Sequence, residues 1–544
     1  MAPKPSNHQN QQKFLILSLL LLSVTLLFIT SAFQRDGARP ADFRRLQNQT
    51  HNYHHRRCHC PSAAATPPKW FDVIAKQFKP RKKIKIGLVN VDECYHHCQM
   101  HGSDQETVRV QFERVSPTLE WKHLFPEWID EAGTHQKPKC PEIPMPEPEK
   151  YRGLDLVVAK VPCQNNGTSP WRRDHGIRDV FRLQVNLAVA HLVAASRVGG
   201  DGGEQVVYVV FVGWCEPMWE IFRCDDLMLH EGEFMVYRPD VRKIKEKVMM
   251  PVGTCELAAE PNTTESGREA YVTVLHSSEE YVCGAIALAQ SILLTNTTKD
   301  LVLLADHAIS PNSIAGLRAA GWKIKRIERI RSPHAEHDSY NEWNYSKLRV
   351  WQVTEYDKLM FIDADFILLR NVDRFFAYPQ LSAAPNHLQI FNSGIMIVEP
   401  SRLSSYNGGD QGFLNEVFTW WHRLTKRLNY LKIYDGSKDG RHAVPEDVYA
   451  VHFLGLKPWV CYRDYDCNWD RPSTQAFASD AAHERWWQVH EAMPERLQAY
   501  CGLTERMDAR IRQWREKARK ANLPRGHWMI EVKDPRRYDN SSFL

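Results

Sequence analysis

The chain of 544 residues lacks low-complexity tracts and carries little net charge, +5 at pH 7. Because this mild basic balance is spread along the chain, it argues against a dedicated nucleic-acid-binding protein, although it suits small anionic substrates. With 43% hydrophobic and 25% charged residues, the composition is that of a globular protein. The length predicts two domains with appendages.

A second absence concerns nucleotide binding. The turn His276–Glu280 follows a predicted strand, Ala270–Leu275, but lacks the glycines of a G-x-G-x-x-G motif, which disfavours a dinucleotide-binding site. Beyond it we predict a helix over Tyr281–Leu294, a strand at Leu301–Leu304, a helix from Pro311 and a strand around 324–330. This alternation indicates an α/β fold with a mostly parallel sheet. If the chain binds a nucleotide without the dinucleotide motif, sugar-nucleotide enzymes are the leading class.

A smaller α/β region is predicted over residues 83–255. Its strands are expected at Lys83–Asn90, Leu154–Val161 and Val206–Val212, with a helix at Val180–Ala195. It contains no complete catalytic motif. Its cysteines are candidates for structural disulfides of undetermined pairing: Cys94, Cys98, Cys140, Cys163, Cys215, Cys224 and Cys255.

The amino-terminal segment predicts a membrane anchor. Residues 14–33 are uncharged and apolar, long enough to span a bilayer, and end without a clean signal-peptidase site. We therefore expect a cytosolic tail at 1–13, an uncleaved signal anchor at 14–33 and a flexible stem at 34–80. The stem has a His- and Cys-rich stretch at 51–60 whose Cys-x-Cys spacing does not fit a zinc site, so a solvated stem or a local disulfide is favoured.

The segment after the anchor is expected to be lumenal. Thirteen cysteines suit an oxidising compartment, although the odd number leaves at least one unpaired. Six Asn-x-Ser/Thr sequons have a use only on the secretory side: Asn48, Asn166, Asn262, Asn296, Asn344 and Asn540. The predicted topology is a single-pass type II membrane protein.

The most informative motif is Asp363-Ala364-Asp365, which follows the apolar run Lys358–Ile362. In an extended segment this spacing puts both carboxylates on one side, at the sheet edge where α/β proteins bind ligands. The pair predicts a site for a hard divalent cation, with an ordinary strand-closing turn as the alternative. About ninety residues later, the loop His452–Trp459 supplies an imidazole, a glycine and Lys457. Together these residues are what a metal–diphosphate site requires.

Other segments fit the same site. Lys347 and Arg349 lie on one short segment, and Phe391–Gly394 is expected to open a strand. Asn407–Gly412 places Asp410 and Gln411 in a loop whose glycines allow close approach to a substrate.

These motifs, in this order, resemble glycosyltransferase family 8, which includes glycogenin. Within it, the sequences NGGDQG at 407–412, WWHR at 420–423 and HFLGLKPW at 452–459 resemble the plant UDP-glucuronate:xylan α-glucuronosyltransferases. IGLVNVDE from Ile86 and EPMWE from Glu216 extend the resemblance into the first region. Glycogenin-type proteins carry Asp where Asn407 stands, which weakens a glycogenin-like role.

The resemblance implies a GT-A-type fold over 268–503, with a mostly parallel sheet and helices on both faces, followed by a carboxyl-terminal tail at 504–544. It implies Mn²⁺ held by Asp363, Asp365 and His452, and a catalytic contribution from Lys347, Asp410 and Gln411. The substrate-binding positions that it implies are Leu275, Ser277, Ser278, Tyr281, Arg349, Asp363, Ala364, Asp365, Asn392, Ser393, Gly394, Asn407, Gly408, Gly409, Asp410, Gln411, His452, Phe453, Leu454, Gly455, Leu456 and Lys457.

The expected activity is a retaining, Golgi-located transfer of glucuronate from UDP-glucuronate to xylan during cell-wall biogenesis, with possible association with other Golgi polysaccharide enzymes. Asp410 could act as a nucleophile or orient the donor sugar for front-side attack. Arg349 is the predicted partner of the glucuronate carboxylate. Two alternatives stay open: the same architecture with UDP-galactose or UDP-glucose, and a non-catalytic subunit of a polysaccharide synthase complex.

Overall fold

The computed structural model describes most of the chain from residue 71 to residue 537. The described residues are 71, 73–74, 76–78, 83–91, 105–134, 139–162, 178–195, 206–261, 267–332, 335–339, 342–387, 389–401, 414, 418–434 and 442–537. They belong to one compact unit, Cys60–Leu544. The predicted anchor at 14–33 and the stretch at 51–60 lie outside them. Among the helices of the described ranges, none combines the length and hydropathy needed to cross a bilayer.

The first region forms a six-stranded sheet. In spatial order its strands are β2-β1-β3-β4-β6-β5, parallel from β2 to β4 and antiparallel through the hairpin β5–β6. Their bounds are β1 Ile84–Val89, β2 Gln105–Arg109, β3 Leu156–Lys160, β4 Tyr208–Val212, β5 Leu227–Glu231 and β6 Phe234–Tyr237. The region also contains helices α1 (Val180–Ala195) and α2 (Val241–Val248). The predicted strands and helix of this region are confirmed, and α1 has the predicted bounds.

The second region is built on a seven-stranded sheet, ordered β14-β12-β13-β10-β7-β8-β9, and a small sheet ordered β11-β16-β15. Strands β10, β7, β8 and β9 are mutually parallel, whereas β13 runs antiparallel to both of its neighbours. The bounds are β7 Glu269–Leu275, β8 Asp300–Ala305, β9 Lys323–Arg326, β10 Lys358–Ile362, β11 Phe366–Leu368, β12 Ser382–Pro385, β13 Phe391–Val398, β14 His422–Arg423, β15 Tyr430–Leu431 and β16 Ala450–His452. The mixed α/β architecture with parallel strands is confirmed.

Four longer helices follow in this region: α3 Val282–Leu294, α4 Pro311–Ala319, α5 Asp480–Ala492 and α6 Glu505–Lys520. Helix α4 begins where its sequence predicts, because the Ser310 hydroxyl caps the amide of Ser313 and a proline occupies the first turn. Single-turn helices lie at Trp121–Leu124 and Glu495–Gln498, and 3₁₀ helices include Asn344–Gln352, Asp373–Ala377, Pro458–Val460, Cys467–Asp470 and Pro472–Phe477.

The two faces of the seven-stranded sheet pack differently. Tyr271, Leu303 and Met360 share a core with α3, α4 and α5. On the opposite face, Val272 and Phe361 belong to a core that continues into the first region. The prediction of helices on both faces therefore needs correction: in the described residues, the first region and the segment Asn344–Gln352 supply much of the second cover.

The disulfides correct one of the cysteine predictions. Cys140 bonds Cys255, and two further bridges lie in the second region, Cys283–Cys501 and Cys461–Cys467. Cys215 is also disulfide-bonded. Cys224, by contrast, is free and half-buried, so its assignment as a disulfide candidate was wrong. An odd number of cysteines requires at least one such thiol. Cys94, Cys98 and Cys163 lie outside the described residues.

Candidate metal and phosphate site

Asp363, Ala364 and Asp365 form the turn that joins β10 to β11, at the carboxyl end of β10. The amide of Asp363 donates to the carbonyl oxygen of Gly394 at 2.9 Å, and the carbonyl of Asp365 accepts from the amide of Phe453 at 3.0 Å. The expectation of an extended segment was therefore wrong, because the motif lies in a turn between two sheets. This turn nevertheless brings both carboxylates to one cleft.

His452, at the end of β16, completes the cluster. Its Nε2 lies 3.4 Å from Oδ1 of Asp365, and its ring stacks on Phe366 with centroids 4.2 Å apart. Its Nδ1 lies 3.2 Å from Oδ1 of Asn429. Because an amide oxygen only accepts, this contact places the proton on Nδ1 and leaves the Nε2 lone pair directed toward the aspartates.

The donor set fits a divalent cation. One ligand atom from each of Asp363, Asp365 and His452 lies within 4.8 Å of the other two. Two carboxylates and a neutral imidazole suit Mn²⁺, Mg²⁺ or Zn²⁺ by ligand type. Gly394 leaves room for this set, because a Cβ there would lie 2.9 Å from Cε1 of His452.

Two lysines flank the cluster. Lys347 Nζ lies 3.2 Å from Asp363 Oδ1 and also donates to the carbonyl and hydroxyl oxygens of Ser393, at 3.3 and 3.2 Å. Lys457 Nζ lies 2.6 Å from Asp365 Oδ2 and also donates to the carbonyl of Phe453. Both ammonium groups are mostly buried, so the cleft concentrates positive charge beside the carboxylates.

The two carboxyls have opposite pKa shifts. Desolvation in the cleft raises the pKa of Asp363, although Lys347 opposes the shift and the side chain keeps 31% of its exposure. Burial would also raise the pKa of Asp365, but the positive charge of Lys457, 2.6 Å away, outweighs it and lowers the pKa. Asp365 is thus held ionised.

Four of the predicted substrate-binding positions, Leu275, Ser277, Ser278 and Tyr281, lie at the end of β7 or just after it. Leu275 is buried and its carbonyl accepts from the amide of Asp306, while Ser277 and Ser278 are exposed. Ser277 has φ +69°, and its amide donates to Oδ2 of Asp306 at 2.9 Å. Tyr281 is 36% exposed, and its ring centroid lies 6.0 Å from Lys457 Nζ. Of these residues, Tyr281 is the one that the structure places beside Lys457.

The loop after His452 is held by Asn468. Gly455 has φ +73°, which favours glycine, and a Cβ there would lie 2.4 Å from Oδ1 of Asn468. The same amide side chain accepts from the Leu456 amide at 2.9 Å and donates to the Leu456 carbonyl at 3.0 Å. Phe453 is buried and Leu454 half-buried. On the other side of the cleft, Asn392 Oδ1 accepts from the amide of Gly394.

The structure does not bring Arg349 to this cluster. Its Nε donates to the carbonyl of Glu328 at 2.9 Å and its Nη1 to Oε1 of Gln352 at 3.1 Å, because the 3₁₀ helix turns it away from the side on which Lys347 lies. The carboxylate-binding role predicted for Arg349 gains no support here. Five further predicted positions lie outside the described residues: Asn407, Gly408, Gly409, Asp410 and Gln411.

Sequence reasoning missed three supporting residues, Asn429, Asp306 and Asn468. Each is a common polar residue without a motif of its own. Asn429 lies 23 positions before His452, whereas Asp306 directly follows β8 and Asn468 directly follows the half-cystine Cys467. No local pattern in the sequence pointed to any of the three.

Comparisons with known proteins show which family the chain belongs to. Residues 62–255 match the GUX1-5 N-terminal domain and residues 272–383 match glycosyl transferase family 8. The chain is 50% identical to UDP-glucuronate:xylan alpha-glucuronosyltransferase 2 of Arabidopsis thaliana, over 84% of this chain and 81% of that protein. It is 45% identical to UDP-glucuronate:xylan alpha-glucuronosyltransferase 1 of the same plant, over 86% of this chain and 74% of that protein.

Among solved structures, a galactosyltransferase in complex with donor and acceptor sugar analogues aligns with 42% of this chain and 99% of its own, at 14% identity and a TM-score of 0.30. That likeness is too low to carry an argument. The sequence identity to the Arabidopsis proteins is sufficient by itself to show the family. The chain belongs to glycosyltransferase family 8, and within it to the group of UDP-glucuronate:xylan alpha-glucuronosyltransferases.

Proposed function

We propose that this chain transfers glucuronate from UDP-glucuronate to the backbone of xylan, with retention of configuration and with Mn²⁺ as the cation. The observation that carries the proposal is the cluster of Asp363, Asp365 and His452 between two lysines, in a chain of this group. The second region is then a GT-A-type catalytic domain, and the match to family 8 over β7 to β12 supports that assignment.

The residues of the cleft have separable tasks. Asp363, Asp365 and His452 would hold the cation, which, when bound, supplies charge neutralisation for the leaving diphosphate. Lys457 would place a second positive charge at the same point, where the Phe453 carbonyl and Asp365 hold its ammonium group. Lys347 binds Ser393, which is one of the predicted substrate-binding positions together with its neighbours Asn392 and Gly394. Tyr281 and the turn before it would bind the uridine.

The donor and acceptor are tested with the purified full-length chain in detergent, Mn²⁺, xylo-oligosaccharides and each of UDP-glucuronate, UDP-glucose and UDP-galactose. Mass spectrometry should find one glucuronate added per product and little transfer from the neutral donors, and EDTA should stop the reaction until Mn²⁺ is restored. Equal transfer from UDP-glucose would contradict the donor assignment. Donor binding without transfer to any acceptor would favour the non-catalytic alternative.

We further propose that the catalytic region lies in the Golgi lumen, anchored by residues 14–33. The sequence supports this location through the uncharged span and the sequons that follow it. Protease treatment of sealed Golgi vesicles should spare the region 83–537 unless detergent is added. Digestion of intact vesicles would place the region in the cytosol.

A further inference from the structure

A buried arginine near the carboxyl end of the chain connects two distant segments. From Nη1, Arg536 donates to the carbonyl oxygens of Trp459, at 3.1 Å, and Cys501, at 2.8 Å; from Nη2 it donates to that of Cys461, at 2.5 Å. Its side chain is 9% exposed and its guanidinium lies 4.4 Å from the ring centroid of Trp487. Two carbonyls from the segment Trp459–Cys461 and one from Cys501 therefore converge on one cation.

Asp534 holds this guanidinium in place. Its carboxylate is fully buried and accepts from Arg536 Nη2 at 2.7 Å and from Nε at 3.1 and 3.2 Å. It also accepts from the amide of Arg463 at 2.9 Å. A buried ion pair persists only when its remaining hydrogen-bonding atoms are satisfied, as they are here. We call Asp534 and Arg536 the C-terminal brace.

The brace acts on residues that contact the start of α3. The indole of Trp459 donates to the carbonyl of Glu280 at 2.9 Å, and Cys501 forms its disulfide with Cys283. Glu280 lies just before α3, and Cys283 lies in its first turn. The brace is therefore connected to the start of α3 in two independent ways, through Trp459 and through Cys501.

Helix α3 in turn contacts the metal-binding turn. A Cβ on Gly284 would lie 2.5 Å from the carbonyl oxygen of Ala364 and 2.5 Å from the ring of Trp459. At Gly284, the backbone of α3 lies directly between the Asp363–Asp365 turn and Trp459, with no space for a side chain. The position of Lys457, two residues before Trp459, is consequently set relative to the aspartates by this packing.

We propose that the C-terminal brace is a positioning pair for the nucleotide diphosphate, fixing Lys457 at the distance from Asp365 that diphosphate binding requires. The proposal rests on the proposed function, because it assumes that a nucleoside diphosphate binds at this cluster. It assigns a binding contribution to the segment 504–544, which the sequence predicted as a tail. Lysine could not replace Arg536, because one ammonium lacks the planar fork that meets three carbonyls and a carboxylate.

The test compares UDP with UMP, which lacks the β-phosphate. Calorimetry with the full-length chain and Mn²⁺ measures Kd for both nucleotides in Arg536→Gln and in Asp534→Asn, which provides a milder change should the first variant fold poorly. We expect Kd for UDP to rise about tenfold or more, the usual effect of removing a supporting contact, while Kd for UMP changes much less. Arg519→Gln is the matched control, since Arg519 belongs to the same segment but is 58% exposed and pairs only with Glu516 among the described residues.

The affinities for UDP and UMP together decide whether the brace has a positioning role. Unchanged UDP affinity in folded variants, or equal weakening of UDP and UMP, would overturn the positioning role and leave only a contribution to stability. If the unaltered chain binds UDP no more tightly than UMP, the diphosphate site itself fails, and the proposed function fails with it.

Discussion

At the scale of single residues, the carboxylates of Asp363 and Asp365 differ in their surroundings. Asp365 is 11% exposed and contacts both Lys457 and His452, whereas Asp363 is 31% exposed and pairs with Lys347. Asp365 is the more firmly held ligand, and Asp363 is the one that solvent and a ligand can reach. Both are needed, because a single carboxylate with one imidazole leaves too few protein donors for tight metal binding.

Replacement of either carboxylate should remove metal-dependent binding. We expect Asp363→Asn or Asp365→Asn to lower transfer by more than about a hundredfold, since losing a ligand costs more than losing a residue that supports one. Transfer from UDP-glucuronate is measured across a Mn²⁺ series. Asp357→Asn is the control: Asp357 precedes the same strand at its opposite end and is 59% exposed. Full activity of either ligand variant in EDTA would refute the metal site.

Asn429 offers a subtler test of the same site. Its Oδ1 contacts His452 Nδ1, whereas its Nδ2 is buried without a hydrogen-bond partner among the described residues. Asn429→Ala should raise the Mn²⁺ concentration for half-maximal activity by about 10- to 100-fold, with kcat restored at saturating metal. Asn429→Asp keeps the acceptor and should retain most of the metal affinity. Equal Mn²⁺ requirements in all three proteins would show that Asn429 does not orient the imidazole.

At the scale of secondary-structure elements, the close approach of α3 to the Asp363–Asp365 turn depends on Gly284. Replacing a helical glycine with alanine usually stabilises a helix by about 0.5–1 kcal/mol. Here the added methyl would meet a backbone carbonyl and an indole at 2.5 Å, and neither can move freely. Overpacking of this kind costs about 1–3 kcal/mol, so the sign of the effect should reverse.

The prediction is that Gly284→Ala lowers the free energy of unfolding and weakens UDP binding together. Denaturant titration and calorimetry measure the two effects. Gly502→Ala is the control, because a Cβ there would have its nearest neighbour at 3.6 Å, and it should be close to neutral. A stabilised Gly284→Ala variant with normal UDP affinity would contradict the packing described here.

The same elements show what the sequence could predict. The alternation of strands and helices and the Asp363–Asp365 and His452–Lys457 motifs were visible, because each depends on neighbouring residues. Their geometry was not, since the turn between β10 and β11 is set by pairing with Gly394 and Phe453 far along the chain. Arg349 was misplaced for a related reason: sequence proximity to Lys347 does not fix which side of a 3₁₀ helix it occupies. The brace residue Arg536 lies 77 positions from its partner Trp459 and has no local signal.

At the scale of the whole molecule, charged side chains of the first region contact groups of the second region across a polar interface. The Glu220 carboxylate accepts from the amides of Thr419 and Trp420 at 2.6 and 3.0 Å. Glu399, just after β13, pairs with Arg223 at 2.6 Å and Lys243 at 3.0 Å. Burial would raise the pKa of Glu399, but these cations lower it to about 2. The stability it contributes is therefore complete above its ordinary pKa of 4.5 and is lost as the pH falls toward 2.

Arg223→Ala should consequently destabilise both regions together. Removing one partner of a buried ion pair costs about 3–5 kcal/mol, and a shared interface transmits that loss to a single unfolding transition. Chemical denaturation followed by fluorescence and circular dichroism tests this at neutral pH. Arg242 is 52% exposed, and its partner Glu246 also pairs with Lys358, so Arg242→Ala should change stability by less than about 1 kcal/mol. Two separate transitions, with one unaffected, would show that the regions fold independently.

The topology of the whole chain predicts which sequons carry glycans. Asn296 is exposed just after α3, and Thr298 of its sequon is exposed as well. Asn344 is half-buried, and Ser346 of its sequon is fully buried, with its hydroxyl accepting from the amide of Ile330 at 3.0 Å. An oligosaccharide needs room around the asparagine side chain that carries it, and a glycan on the half-buried Asn344 would adjoin Lys347.

If the catalytic region is lumenal, Asn296→Gln should increase gel mobility by one glycan, and Asn344→Gln should leave mobility unchanged. Endoglycosidase treatment of membrane-derived protein provides the fully deglycosylated reference. A mobility that neither the enzyme nor any substitution alters would argue that the region never enters the secretory lumen. A glycan found on Asn344 would instead contradict the half-buried position of that side chain close to Lys347.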